Sequence, residues 1–185
     1  MDTYIILHGF GSSPSTSKTV NTLSDMIKEY QPDANIMAPH YDGSKPVETA
    51  KMLLELSKQV SGELTILGCS LGGFWANWLA SNTVGAKLIL INPALKPSES
   101  LDKTIKDGLI QYQECQEYKK YEGFAHNDMT LAILARNDDV VPYQYAYDIL
   151  SDKAKVVFSE SGGHRMNDLM DFKKTIFEFL NTYVN

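Results

Sequence analysis

The sequence predicts an α/β fold, a mostly parallel six-stranded sheet with helices on both faces. Three observations carry this. Short apolar runs recur along the chain, as expected of strands buried on both sides. Stretches whose apolar residues fall at helical spacing alternate with them. The joints between the two are rich in glycine, proline, serine and asparagine, and no internal repeat or low-complexity stretch breaks the order. Strand and helix in alternation pack as helix layers on a parallel sheet. The 185 residues suit one domain, and 43% hydrophobic with 22% charged residues is an ordinary globular balance.

Tyr4-Ile5-Ile6-Leu7 reads as the first strand. It ends in His8-Gly9-Phe10-Gly11-Ser12-Ser13-Pro14, a loop whose glycines let the backbone approach a ligand. His8 is expected to be structural, its ring hydrogen-bonded to hold this loop. Ser15 or Ser17 can cap the next helix, which carries Val20, Leu23, Ile27 and Tyr30 on one stripe and stops at Pro32. Asn35 to Pro39 reads as the second strand. His40 and Tyr41 follow at its C-terminal end, the side on which open α/β sheets bind ligands, and so are candidate substrate-binding residues; plain loop residues are the competing reading. Pro46 opens a helix with Val47, Ala50, Leu53 and Leu54 on one face, and Ser61-Gly62 ends the segment.

Leu64 to Leu67 is the third strand, followed by a helix whose Trp75, Trp78 and Leu79 are expected in the core. Ala86 to Ile91 is the fourth, stopped by Asn92-Pro93. Over about 94–127 the alternation lapses. This insertion is either a small cap over the strand ends or surface decoration with Tyr112, Tyr118, Tyr121 and Phe124 packed onto the body; it also holds Asp102, and His126 is expected to be solvated. Met129 to Ala135 and Ala154 to Phe158 are the last strands, with a helix over Tyr143 to Leu150 between them. The final helix carries Phe172, Ile176, Phe179, Leu180 and Val184 on one face.

The joint after the third strand reads Gly68-Cys69-Ser70-Leu71-Gly72, a G-x-S-x-G pattern with a strand before it and a helix after it. A strand turning at once into a helix forces the serine into a strained conformation, and its crowded neighbours must lack a Cβ. Ser70 is therefore the candidate nucleophile. The helix start aims amide N–H groups, Leu71 first, at developing negative charge, and Phe10 in the first loop is the natural second oxyanion donor. A nucleotide-binding turn fails here, because Ser70 stands where G-x-G-x-x-G needs glycine. The fifth strand ends at Asn137-Asp138-Asp139-Val140-Val141-Pro142, where only one of the two carboxylates can face a site. The sixth ends at Ser159-Glu160-Ser161-Gly162-Gly163-His164. Serine, aspartate and histidine come in the chain order of α/β-hydrolases, each after a different strand. The chemistry needs all three: a serine hydroxyl waits on a base, a histidine can take and return the proton, and a carboxylate fixes the histidine.

The opening strand into His8-Gly9-Phe10, the run S-L-G-G-F-W-A, Ile91-Asn92-Pro93-Ala94, N-D-D-V-V-P and the late Gly-Gly-His together resemble the small bacterial α/β-hydrolases of the YqiA/YcfP-like esterase group over nearly the whole chain. The resemblance implies an α/β-hydrolase fold with esterase or thioesterase activity on small acyl substrates. It also implies Ser70 as nucleophile, His164 as base and Asp138, rather than Asp139, as the acid. The insertion matches that group least. An acyltransferase or peptidase would use the same residues, and a binding scaffold would keep the fold without needing them.

The formal charge of −6, with no block of basic residues, argues against a nucleic-acid partner. No apolar run approaches a membrane span, and Met1-Asp2-Thr3-Tyr4 lacks the basic start of a secretory signal, so a cytoplasmic protein is expected. Cys69 and Cys115 read as small apolar side chains, with Cys69 expected to be buried, rather than a disulfide or thiolate metal site. The expected partner is a small acyl ester or thioester, and the chemistry calls for no metal or cofactor.

Overall fold

In the computed structural model, which describes residues 1–101, 105–123 and 129–182, six strands form one sheet in the order β2-β1-β3-β4-β5-β6. They are β1 (Thr3–Leu7), β2 (Asn35–Met37), β3 (Leu64–Cys69), β4 (Lys87–Ile91), β5 (Thr130–Ala135) and β6 (Lys155–Ser159). All five pairings are parallel. From β1 the chain steps outward to β2, then returns past β1 and builds β3 to β6 on the other side. The loops after β1 and β3 therefore diverge, which opens a crevice at the C-terminal strand ends.

The central strands are apolar on both sides because both sides are covered. Ile5 and Leu7 face one core with Leu88 and Leu90, while Tyr4 and Ile6 face the other with Ile89 and Ile91. The first core is closed by α2 (Pro46–Ser57), α3 (Leu71–Ser81) and α6 (Tyr143–Leu150); the second by α1 (Lys18–Tyr30) and α7 (Lys173–Leu180). Ser17 is the residue that caps α1, its hydroxyl accepting from the Val20 amide, a bond worth about 1 kcal/mol. On α2 the buried face is Pro46, Thr49, Ala50 and Leu53; Leu54, expected with them, is exposed because it lies one step round the helix from Leu53. No described helix is long and apolar enough to cross a membrane.

The insertion contains α4 (Pro97–Ser100), α5 (Tyr112–Glu117) and a 3₁₀ turn over Tyr118–Lys120. Tyr118 and Tyr121 of the insertion pack onto the body. Tyr118 is buried against Phe74 and Trp75, with ring centroids 5.4 and 5.6 Å away, and its hydroxyl donates to the Gly43 carbonyl at 2.6 Å. Tyr121 lies against Trp75 and Trp78, and Tyr112 is exposed. Only Ala94, Ser100 and Leu101 of the described insertion reach the crevice. Asp102, Phe124, His126 and Val184 lie outside the described residues.

Candidate active site

Ser70 is the hinge between β3 and α3, with φ 53° and ψ −123°. This left-handed conformation costs a non-glycine residue about 1–3 kcal/mol. Close packing enforces it. A Cβ on Gly68 would lie 2.1 Å from the Gly72 carbonyl oxygen, and one on Gly72 would lie 2.1 Å from that of Leu7. Two further bonds hold the hinge: the Ser70 amide donates to Ile91 O at 3.0 Å, and its carbonyl accepts from the Ala94 amide at 3.0 Å.

The side chain enters a line of hydrogen bonds. The Ser70 hydroxyl lies 3.1 Å from His164 Nε2, and His164 Nδ1 lies 2.8 and 3.0 Å from the two Asp138 oxygens. An N–H on Nδ1 donates to the carboxylate and leaves Nε2 to accept from the serine. The Asp138 carboxylate is fully shielded from solvent, and its Oδ1 also accepts the Val140 and Val141 amides at 2.9 and 2.8 Å. Those bonds compensate its lost hydration. Of the two carboxylates only Asp138 turns inward; Asp139 is exposed on the cleft rim.

One residue of this arrangement read in the sequence as a strand stop and as part of a resembling segment, with no role in the site. Asn92, buried and at φ 42°, donates from Nδ2 to the carbonyls of Gly163 at 2.9 Å and His164 at 3.1 Å. Its Oδ1 accepts the Ala135 amide at 2.7 Å. It thus fastens the His164 loop to the ends of β4 and β5. The loop is braced from its other side too, with the Gly162 amide on Ser159 Oγ and the Gly163 amide on Asn137 Oδ1.

Phe10 and Leu71 line the same cleft as Ser70. Leu71 opens α3, where an N–H has no intrahelical acceptor. A Cβ built on Gly9 would sit 3.4 Å from Ser70 Cβ, so the first loop runs alongside the serine. Cys69 is partly exposed on the cleft wall rather than buried, and desolvation of its thiol pushes the pKa up to about 11. It therefore stays protonated beside Ser70 at neutral pH.

His40 and Tyr41 do not line the cleft. Strand β2 is the sheet edge, so its loop emerges beyond β1 rather than over β3. His40 is exposed, whereas Tyr41 is buried beneath the first loop, its hydroxyl donating to the His8 carbonyl. Together they clamp His8. The His8 ring stacks on Tyr41 at 4.2 Å, its Nδ1 lies 2.8 Å from Gly9 O, and its Nε2 accepts the Tyr41 amide at 3.4 Å. These partners suit the neutral Nδ1–H tautomer, and burial first, then the nearby His40, lowers the His8 pKa. A folded pKa below the unfolded value of about 6.5 means that the unfolded chain binds the extra proton. The stability contributed by neutral His8 is therefore complete above about pH 6.5 and is lost as the pH falls through and below that value. Melting temperatures from pH 7.5 to 5 are expected to fall more steeply for the wild type than for His8→Gln. Parallel curves would exclude His8 as a cause.

The cleft has a volume of about 520 Å³ and runs past Ser70 and His164. Phe10, Leu71, Leu101, Val140 and Val141 are among its apolar lining; Ser12, Thr16, Lys18 and Arg165 are among its polar lining. Among the described residues no group of three or more His, Cys, Asp or Glu is arranged to hold a metal ion.

A six-stranded parallel sheet with a strained serine after its third strand defines the α/β-hydrolase fold, and solved structures agree. A Xanthomonas campestris pv. campestris protein assigned to the alpha/beta hydrolase superfamily superposes with a TM-score of 0.76 at 16% identity, covering 99% of this chain and 100% of that one. Est1E from Butyrivibrio proteoclasticus, solved with ferulic acid, gives 0.74 at 16% identity over 97% and 88%. The ydeN gene product of B. subtilis gives 0.73 at 14% over 98% and 100%. The chain belongs to the family described as Uncharacterised protein family (UPF0227), whose model matches residues 3–181, in agreement with the YqiA/YcfP-like resemblance. A UPF0227 protein of Shewanella woodyi is 29% identical over 171 residues, covering 87% of this chain and 89% of its own, and one from Enterobacter sp. (strain 638) is 26% identical over 183 residues, covering 95% and 97%.

Proposed function

We propose that the protein is a serine hydrolase that cleaves small carboxylic esters or thioesters through an acyl-enzyme on Ser70. The observation that carries the reading is the unbroken line from Ser70 Oγ through His164 to the shielded Asp138 carboxylate, opening on a cleft. Ser70 Oγ attacks the acyl carbon while His164 Nε2 takes its proton. Asp138 holds the ring and stabilises the imidazolium. The amides of Phe10 and Leu71 receive the oxyanion. The tetrahedral intermediate expels the alcohol or thiol, to which His164 returns the proton. Water, deprotonated by His164, then attacks the acyl-enzyme and releases the acid. Apart from that water, each step draws on the chain's own groups. The apolar part of the cleft suits a small acyl group. Ferulic acid on Est1E is a carboxylic acid, the product class expected here. A cytoplasmic setting fits two free cysteines.

Treatment with a fluorophosphonate, read by intact mass, tests this. One adduct is expected on the wild type and none on Ser70→Ala. A folded wild type that takes no adduct would overturn the reading.

A further inference from the structure

Two cations that the proposed chemistry does not use are among the residues lining the cleft. Lys18 opens α1, and Arg165 follows His164 directly. They come from elements far apart in the chain, and a hydrogen bond ties those elements together: the Thr19 hydroxyl donates to the Arg165 carbonyl at 3.3 Å. Thr19 is itself buried, and the loop that carries Arg165 is pinned by Asn92 at the carbonyls of Gly163 and His164. Left-handed turns at Gly163 (φ 62°) and Met166 (φ 47°) bracket Arg165. The backbone therefore brings the two segments that carry these cations together beside the cleft.

Neither cation has a carboxylate partner among the described residues. The chain has only two arginines, and the contrast between them is informative. Arg136 pairs with Glu160 at 2.9 Å and lies over the Phe158 ring at 3.9 Å. Arg165 stands at the cleft with no such pairing. Among the described residues the one carboxylate lining the cleft is Asp139, which belongs to the β5 loop with Val140 and Val141. In a chain of net charge −6, two cations that line a reaction cleft with no carboxylate partner among the described residues mark a place for an anion.

Chemistry says which part of the substrate carries it. His164 must return its proton to the leaving atom, so that atom sits at His164 Nε2 and its substituents extend past the His164 loop. The oxyanion lies on the other side, against Phe10 and Leu71. We propose that Lys18 and Arg165 form an anion subsite for the leaving group. The preferred substrates are then short acyl esters or thioesters of an alcohol or thiol that itself bears a carboxylate or phosphate. In acylation the Ser70 Oγ–acyl bond forms, the bond from acyl carbon to leaving atom breaks, and the serine proton passes through His164 to that atom. The anion is a spectator held by Arg165, whose planar fork suits either group, and by Lys18.

The inference rests on the hydrolase reading, and the test separates the two. kcat/KM is measured for two pairs of acetates matched in the acyl group: 4-acetoxybenzoate against 4-acetoxybenzamide, and 4-acetoxyphenyl phosphate against 4-methoxyphenyl acetate. The wild type is expected to favour at least one anionic member about tenfold, and the favoured pair identifies the anion. In Lys18→Gln/Arg165→Gln the ratio should fall to about one, and in the wild type it should shrink as salt is raised to about 0.5 M. A wild-type ratio near one for both pairs, or a ratio unchanged in the double variant, overturns the subsite. A wild type inert toward all four esters overturns it as well, and fluorophosphonate labelling then decides whether the hydrolase reading falls with it.

Discussion

Ser70→Gly is expected to be inactive and yet more stable than the wild type. The loss follows from routing every covalent step through Ser70 Oγ; removing a nucleophile of this kind lowers kcat by on the order of 10⁶. The gain follows from the backbone. At φ 53° and ψ −123° the serine sits where glycine is at ease, and relief of that strain outweighs the extra freedom glycine has when unfolded. A net gain of about 1 kcal/mol should raise the melting temperature by roughly 2–4 °C for a chain of this size. Ser70→Ala keeps the strain, so it should lose the activity without the gain. Ester turnover and thermal melts on both variants test the argument. A glycine variant no more stable than the alanine variant would show that the hinge stores no strain.

Gly72→Ala is expected to cost at least about 3 kcal/mol, a large share of the total stability of an ordinary domain. The added Cβ would lie 2.1 Å from Leu7 O and 2.5 Å from His8 O, both backbone atoms of β1 and its loop. No rotamer change relieves such a clash; α3 has to move off the sheet. Gly85→Ala is the control. Gly85 has φ 77° with nothing within 4 Å of the added atom, so only backbone strain of about 1–2 kcal/mol applies. Urea midpoints should separate the two variants widely. Equal shifts would mean that the fit of α3 against β1 is looser than the geometry implies.

The sheet was legible because burial on both faces leaves an unmistakable pattern: runs such as Tyr4 to Leu7 and Thr130 to Ala135 have no polar side to present. Ser70, Asp138 and His164 were legible because each stands just past a strand, in a loop of unusual chemistry. What escaped depended on order across the sheet. His40 and Tyr41 follow a strand as those three do, but β2 is the edge, and lateral position is not written in local pattern. For the tyrosines of the insertion a cap and surface decoration stayed equally open, because aromatic residues look alike whether they face a ligand or a tryptophan. Asn92 read as punctuation, since its three bonds reach residues far along the chain. Lys18 and Arg165 escaped for the same reason: two exposed charges acquire meaning only once Thr19 brings their elements together.

The four residues Ile91 to Ala94 tie together the two halves of the proposed reaction centre. The Ile91 carbonyl and the Ala94 amide grip the backbone of Ser70, while the Asn92 side chain grips that of His164. Serine and histidine, 94 residues apart, are thereby referenced to a single rigid peptide. On the proposed reading the fold itself sets the serine–histidine geometry, so substrate need not spend binding energy to assemble it.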